Sequence, residues 1–348
     1  MKQVKISSAE AGQRLDKFLV KYLSKAPRNF IYKMLRKKNI TLNNKKATGG
    51  EKIIAGDEIK LFLAEETIIK FSENSMPSPS VLPQAMRKTK EIDIVYEDEH
   101  VLFVNKPAGM LSQKAKKDDV SLVEYIGEYL MQHGEIRTGV RAGICNRLDR
   151  NTSGLVVAGK TIAGLQQMNE LFKARTLDKF YLCIVSGLME KEAVVDGYLL
   201  KDEKRNQVTI LQESTLKEVT LKEAMLRKST DIKAKPICTR YRPLSFARTN
   251  KGVYTLLEVK LITGRSHQIR AHLSAIGYPL IGDLKYGGKS IGGVKYQLLH
   301  AYRVVLPLLE GELAHLSKKT VIAKPSQEFE KVRKELGLNY GDVEFERT

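Results

Sequence analysis

Apolar residues near the N-terminus repeat with a helical period. Leu15, Phe18, Leu19, Tyr22 and Leu23 fall at i, i+3, i+4, i+7 and i+8, the buried stripe of an amphipathic helix. Ile31, Met34 and Leu35 give the stripe of a second helix. The segments 40–47 and 56–63 then read as a strand entering a turn and a turn leading into a strand. From Ile92 the texture turns to β. Segments 92–96 and 101–106 flank Glu97-Asp98-Glu99-His100, as two strands flank a turn. Segments 121–131 and 163–173 carry helical stripes. Segments 154–158, 179–187, 253–261 and 298–306 are apolar runs of strand length, and 266–277 reads as a helix capped by Ser266 and closed by Gly277. A charged helix over 326–336 ends the pattern.

Between the first unit and the β-rich region, residues 71–90 are rich in Ser and Pro and lack periodicity, which reads as a linker. The expected organisation is an N-terminal α/β unit over 1–70, this linker, a large α+β domain over 91–325 on a mainly antiparallel mixed sheet, and a helical tail over 326–348. Residues 200–235 are polar and read as an exposed hairpin or insertion.

Composition narrows the class of partner. Lys and Arg number 59 against 40 Asp and Glu in 348 residues, a formal charge of +19, so a polyanion is the expected partner and nucleic acid the first choice. Residues 1–70 hold 16 Lys and Arg against 7 Asp and Glu. Like charges at that density repel and are best tolerated beside phosphates. No apolar run reaches transmembrane length and no secretory signal opens the chain, so membrane association is not expected. Cys145, Cys183 and Cys238 lie far apart without a Cys-x-x-Cys motif, which fits reduced thiols in the cytoplasm.

Three segments carry candidate chemistry. Gly154 to Thr161 satisfies Gly-x-x-x-x-Gly-Lys-Thr, but its Leu-Val-Val-Ala centre is strand-like where a phosphate loop needs exposed backbone, so no nucleotide cofactor is expected. His267 and His272 are five residues apart, on different faces of a helix, which argues against a metal pair. The third is Arg147-Leu148-Asp149-Arg150-Asn151-Thr152-Ser153-Gly154. Its carboxylate lies between two arginines, an arrangement that suits an ionised nucleophile or base as well as a structural ion pair.

Later segments decide between those readings. The Arg147 to Gly154 segment, Lys179-Phe180-Tyr181, and Thr263-Gly264-Arg265-Ser266-His267-Gln268-Ile269-Arg270-Ala271-His272 occur in this order, with Asn105-Lys106-Pro107-Ala108-Gly109 before them and Gly277-Tyr278-Pro279-Leu280-Ile281-Gly282-Asp283 after. Together they resemble the RluA family of RNA pseudouridine synthases, over about Ile92 to Pro325. The N-terminal pattern Arg14-Leu15-Asp16-Lys17-Phe18-Leu19, a basic helix, Ile40-Thr41-Leu42-Asn43-Asn44-Lys45-Lys46-Ala47 and Gly56-Asp57-Glu58-Ile59-Lys60-Leu61 is similar to the S4 RNA-binding domain.

The resemblance implies isomerisation of uridine to pseudouridine in structured RNA, 23S ribosomal RNA ahead of transfer RNA, by a monomer without cofactor or metal. It implies Asp149 as the catalytic aspartate, Tyr181 as the aromatic that stacks on the target base, and Arg270 as the arginine that pairs with the aspartate. Arg147 matches the arginine that fills the space of the flipped nucleotide. Arg150, Thr152, Arg265, His267 and Ile269 join it as expected substrate contacts, while Arg28, Lys33, Arg36, Lys37, Lys38 and Lys45 match the RNA-facing side of the S4 unit. Asn146 stands where the family most often has His, so altered support of the loop is expected. A non-catalytic RNA-binding or ribosome-assembly factor that keeps the fold is the alternative.

Overall fold

The computed structural model describes residues 1–6, 10–72, 92–116, 118–133, 143–202, 207–212 and 234–345. In the N-terminal unit α1 (Leu15–Tyr22) and α2 (Arg28–Arg36) precede the hairpin of β2 (Ile40–Leu42) and β3 (Lys45–Lys46), followed by β4 (Glu58–Leu61). The periodicity of the first twelve residues gave no signal of β1 (Lys2–Lys5), which pairs antiparallel with β4 and completes a four-stranded sheet in the order β1-β4-β2-β3. Leu15, Leu19, Ile31, Leu35, Ile40 and Ile59 form its core and are all essentially inaccessible to solvent. Full burial of each such side chain contributes roughly 1.5–3 kcal/mol. Helix α3 (Glu65–Ser72) runs two residues into the stretch expected as linker, because Ile68 is buried in this core and the Phe71 ring packs tilted against Phe30, centroids 4.7 Å apart. The rest of the expected linker, 73–90, lies outside the described residues.

The second unit is built on an eleven-stranded sheet whose main path runs β11-β10-β12-β13-β9-β14-β8-β6-β5. These strands are β5 (Asp93–Glu97), β6 (Val101–Lys106), β8 (Ser153–Gly159), β9 (Asp178–Ser186), β10 (Ala193–Asp202), β11 (Gln207–Leu211), β12 (Lys235–Thr249), β13 (Gly252–Leu261) and β14 (Leu299–Val305). The short β7 (Gly143–Ile144) and β15 (Thr320–Ile322) pair with β8 and β14. Neighbours are antiparallel except at one junction, where β14 runs parallel to β8 with His300 opposite Ser153 and Ala301 opposite Gly154. Gly154 has φ +112°, and a Cβ there would stand 2.2 Å from the Ala301 carbonyl oxygen, so the close approach of the two strands requires glycine.

Both faces of the central strands are covered, which is why they read as continuous apolar runs. On β9, Tyr181, Cys183 and Val185 face one cluster, which also holds Leu122, Ile126 and Leu130 of α4 (Leu122–Gln132) and Ile269 and Leu273 of α6 (Gln268–Ala275). Leu182 and Ile184 face the other side, packed with Phe329 and Val332 of α7 (Gln327–Glu335), while Met168 of α5 (Ile162–Ala174) covers Leu155 and Val157. The C-terminal segment expected as a tail therefore closes a core of the large unit, because Phe329, Val332, Leu336 and Leu338 are all buried there.

Two further differences, at β12 and at the start of α6, have local causes, while part of the expected 200–235 hairpin is present. The fifteen-residue β12 escaped the periodic pattern because Pro236 and Pro243 interrupt it; Pro243 sits where the register with β13 shifts. Of the expected 200–235 insertion, β10 and β11 form an antiparallel hairpin, and 203–206 and 213–233 lie outside the described residues. Ser266 does not cap α6. His267 is the N-cap, in the left-handed region at φ 55°, and Gln268, the first helical residue, turns its amide back onto the preceding turn.

Candidate active site

The segment 154–159 of the Gly-x-x-x-x-Gly-Lys-Thr match is β8 itself, buried along its whole length, and Lys160 is ion-paired to Glu97 at 2.7 Å. Strand β8 carries at its N-terminal end the loop that presents Asp149. Asn146 binds this loop to the strand: its amide donates to Leu155 O at 3.1 Å and its carbonyl accepts Val157 N–H at 2.8 Å. The side chain thus acts as an extra ladder residue, a role open to an amide with both donor and acceptor. Thr152 N–H closes the turn on Asp149 O at 3.0 Å.

A second loop, after β6, is stitched to the first. Ser112 Oγ donates to Leu148 O at 2.9 Å and accepts Leu148 N–H at 3.0 Å. Arg150 Nε donates to Gly109 O. Lys106, fully buried, donates from Nζ to the carbonyls of Pro107, Met110 and Arg150 at 2.9, 2.9 and 3.1 Å. Burial pushes the Lys106 ammonium down to about 7, against the pull of the Asp149 carboxylate. Three carbonyl contacts use three N–H bonds, which only the charged amine possesses.

The partner of Asp149 is neither of its neighbours in sequence. Arg147 and Arg150 are exposed, whereas Arg270, reaching in from α6, donates from Nη1 to Asp149 Oδ2 at 2.9 Å. Arg270 is itself clamped by Asp283, whose two oxygens accept Nε at 2.6 Å and Nη2 at 2.8 Å. The Asp283 side chain is 1% exposed and that of Arg270 8%, against 27% for Asp149. Burial works against the charge of Arg270, but the two carboxylates outweigh it and hold its pKa above the ordinary arginine value. A planar fork bound on one edge and donating from a remaining nitrogen is a rigid way to aim one carboxylate.

Tyr181 lies in β9 opposite Val259 and Ala301, in the same cluster as Leu148 and Ile269. Burial, with the nearby Asp149 charge, raises its pKa and keeps the phenol protonated. His267 Nε2 stands 3.8 Å from Asp149 Oδ2. Burial lowers its pKa, against the pull of Asp149. Sequence motifs more than a hundred residues apart therefore meet around one carboxylate.

The other expected contacts are spread more widely. Thr152 is buried and its hydroxyl accepts from Gln297, and Ile269 is a core residue 4% exposed, so both lie beneath the site's surface. Arg265 is half-buried, its Nε without a hydrogen-bond partner among the described residues. Arg28, Lys33, Arg36, Lys37, Lys38 and Lys45 are all exposed on the N-terminal unit, Lys37 and Lys38 just past the end of α2. His272 Nδ1 meets Thr239 Oγ1 at 3.0 Å and takes no part at Asp149. Sequence reasoning assigned no role to Lys106, Ser112, Gln268, Asp283 or Tyr286. Gln268, 2% exposed, bonds Thr263 Oγ1, Arg265 N, Cys238 O and Thr239 Oγ1, and so fixes the turn from which α6 and Arg270 start. Lys106, Gln268 and Asp283 all sit inside quoted motifs, and their signal was a polar residue embedded in an apolar or glycine-rich context.

Comparison with known proteins identifies the family. The model of the RNA pseudouridylate synthase family matches residues 100–275, and that of the S4 domain residues 13–59. The ribosomal large subunit pseudouridine synthase C of Vibrio cholerae is 28% identical over 311 residues, 86% of this chain and 87% of that protein. The protein of the same name from Rickettsia bellii is 31% identical over 305 residues, 85% of this chain and 90% of that one. Among solved structures, human RNA pseudouridylate synthase domain containing 4 has the same fold, with a TM-score of 0.54 and 22% identity over 72% of this chain and 95% of that chain. With its S4 domain, its antiparallel-dominated sheet and these matches, the chain belongs to the RluA family of RNA pseudouridine synthases.

Proposed function

We propose that this enzyme isomerises uridine in large-subunit ribosomal RNA, with Asp149 as the carboxylate that acts on the ribose. The observation that carries the reading is the chain Asp283–Arg270–Asp149, in which a buried, doubly bound guanidinium fixes a part-exposed carboxylate. The choice of RNA rests on the relatives' names, ribosomal large subunit pseudouridine synthases C and D.

The reaction leaves composition unchanged. The C1′–N1 bond breaks with its electron pair going to N1, the C5=C6 pair bonds C5 to C1′, and the C5 proton departs as N1 gains one. Asp149 serves either as the nucleophile at C1′ or as a base toward the ribose. Both contacts to it fall on Oδ2, which leaves Oδ1 as the oxygen offered to the sugar. The target base must leave its stack at a cost of a few kcal/mol. Stacking on the Tyr181 ring offsets roughly 1–3 kcal/mol of that. Because Tyr181 is held as the neutral phenol, its contribution is the ring face and a donated hydrogen bond. Arg147 and Arg150, exposed beside the aspartate, meet the displaced strand and its phosphates, and the exposed Arg28, Lys33, Arg36, Lys37, Lys38 and Lys45 of the S4 unit supply affinity that carries little sequence information.

The test is to incubate parent protein and Asp149→Asn with unmodified large-subunit ribosomal RNA and, separately, transfer RNA, then map pseudouridine. Parent activity on the ribosomal RNA alone, lost in the variant with RNA affinity kept, is the expected result. Equal pseudouridine from both proteins refutes the role of Asp149. No product from either RNA supports the non-catalytic alternative.

A further inference from the structure

Tyr286 has no part in the isomerisation as written above. It ends a short 3-10 turn, Leu284–Tyr286, and is 8% exposed. Its ring joins Leu199, Val208, Ile237 and Ala271 in a small core between the β10–β11 hairpin and α6, and the Arg270 guanidinium lies 5.1 Å from its centroid. Its hydroxyl oxygen accepts the backbone N–H of Val208 at 3.1 Å and stands 2.8 Å from His267 Nδ1. The two rings meet edge-on, 84° apart in plane. At the far side of the imidazole, Nε2 faces Asp149 Oδ2 at 3.8 Å.

The protons along this row can be counted. Val208 N–H already fills an acceptor position of the phenol oxygen, which favours the phenol's own proton as the one directed to Nδ1. An imidazole that accepts at Nδ1 carries its single proton on Nε2, where it meets a carboxylate. The opposite tautomer would set the Nε2 lone pair against that negative charge. Both ends of the row therefore select the same form. Burial favours the neutral ring, Arg270 and Lys285 act in the same direction, and Asp149 and Asp283 oppose them. His267 is also held at φ 55°, a left-handed conformation that non-glycine residues adopt when their surroundings impose it. The imposing contacts are those of Gln268 to the turn before it.

We propose that Tyr286 is a positioning residue of the isomerase: it fixes His267 as the Nε2–H tautomer, which turns an N–H rather than a lone pair toward Asp149 Oδ2, 3.8 Å away, beside the Arg270 Nη1 hydrogen bond, and leaves Oδ1 for the sugar. The effect on rate rests on Asp149 being the reacting carboxylate; the tautomer itself does not.

The experiment pairs a spectroscopic and a kinetic readout. In full-length protein labelled with 15N-histidine, long-range proton–nitrogen correlation identifies the protonated nitrogen of His267, assigned by its loss in His267→Gln. The expected result for the parent at pH 7.5 is a protonated Nε2 and a bare Nδ1. In Tyr286→Phe the ring is kept and the hydroxyl removed, so Nδ1–H becomes populated. With unmodified large-subunit ribosomal RNA, kcat then falls by about tenfold, less than the hundredfold typical of deleting a donor aimed directly at the reacting group, while KM stays within about twofold. A parent imidazole protonated at Nδ1, or at both nitrogens, overturns the proposal without needing a folded variant. So does Tyr286→Phe with parent kcat, or with the lower rate expressed wholly in KM. Should Asp149→Asn retain activity, the catalytic reading falls while the tautomer measurement still stands or fails by itself.

Discussion

Replacing Asp283 by Asn tests the feature on which the site depends most. Asp283 accepts two hydrogen bonds from Arg270, and both side chains are more than nine-tenths buried. Removing one partner of a buried ion pair costs about 3–5 kcal/mol, because the other charge is left uncompensated. Two features lower that figure. The amide oxygen can keep one of the two bonds, and Asp149 still faces the guanidinium at 2.9 Å. The expected loss is about 2–3 kcal/mol, or a fall in the thermal midpoint of roughly 4–12 °C at 2–4 °C per kcal/mol for a domain of this size. The freed guanidinium no longer fixes Asp149, so kcat should fall about a hundredfold, equivalent to about 2.7 kcal/mol of barrier. Asp149→Asn behaves differently. Its side chain is 27% exposed, so its stability cost stays below about 1 kcal/mol while its activity is lost. The double variant strips the guanidinium of both charged partners and should be less stable than the sum of the singles by about 1–2 kcal/mol. Urea or thermal unfolding of the four proteins, with turnover on ribosomal RNA, measures all of this. An Asp283→Asn protein with the parent midpoint and full activity, or strict additivity in the double variant, would refute the account.

Lys106→Met keeps the volume but leaves the carbonyls of Pro107, Met110 and Arg150 without their donor. Relief of a buried charge offsets part of that loss, and the net cost should be about 2 kcal/mol with slowed turnover, checked by urea midpoint and rate. His300 is buried between Ser153 Oγ and Ala323 O, and burial pushes its pKa down to about 4. The unfolded chain takes up this proton near pH 6.5 while the folded chain refuses it until about 4. His300 therefore contributes fully above pH 6.5 and loses about 3 kcal/mol on descent to pH 4. An unfolding series from pH 8 to 4 that is no flatter in His300→Gln than in the parent would sink this. Neutralising Arg28, Lys33 and Arg36 together should lower the slope of log affinity against log salt by up to about 0.9 for each phosphate no longer neutralised, with the pseudouridine position unchanged. An unchanged slope in a filter-binding titration would remove these residues from the RNA interface.

Periodicity located the elements that bury one stripe or one run, as α1, α2, α4, α5, β8, β9, β13 and β14 do. It failed where the physics is not periodic. Pro236 and Pro243 mask β12, whose pairing is long enough to absorb a register shift. Ser266 has the right chemistry for an N-cap, but a buried glutamine one residue into the helix tightens the turn first. Asp149 stood out because charge clusters around it in sequence, yet the arginine that grips it is 121 positions away and the adjacent Arg150 binds Gly109 O instead. Lys106, Asp283 and Tyr286 were passed over for a related reason, although the first two stood out as polar residues inside the motifs. Their importance is burial beside a particular partner, and a linear string of residues carries no measure of either.

The single parallel junction also dictates an order of events. It joins Ser153 to His300, so the strand beside the Asp149 loop, already paired with β6, lacks its second long neighbour until almost nine-tenths of the chain has been made. The N-terminal unit has a core of its own, drawn entirely from residues before Ser72, and depends on no later strand. A chain emerging from the ribosome thus acquires its basic, RNA-holding surface early and its chemistry last. During synthesis its S4 domain is therefore complete while the strand that closes its catalytic sheet is still to come.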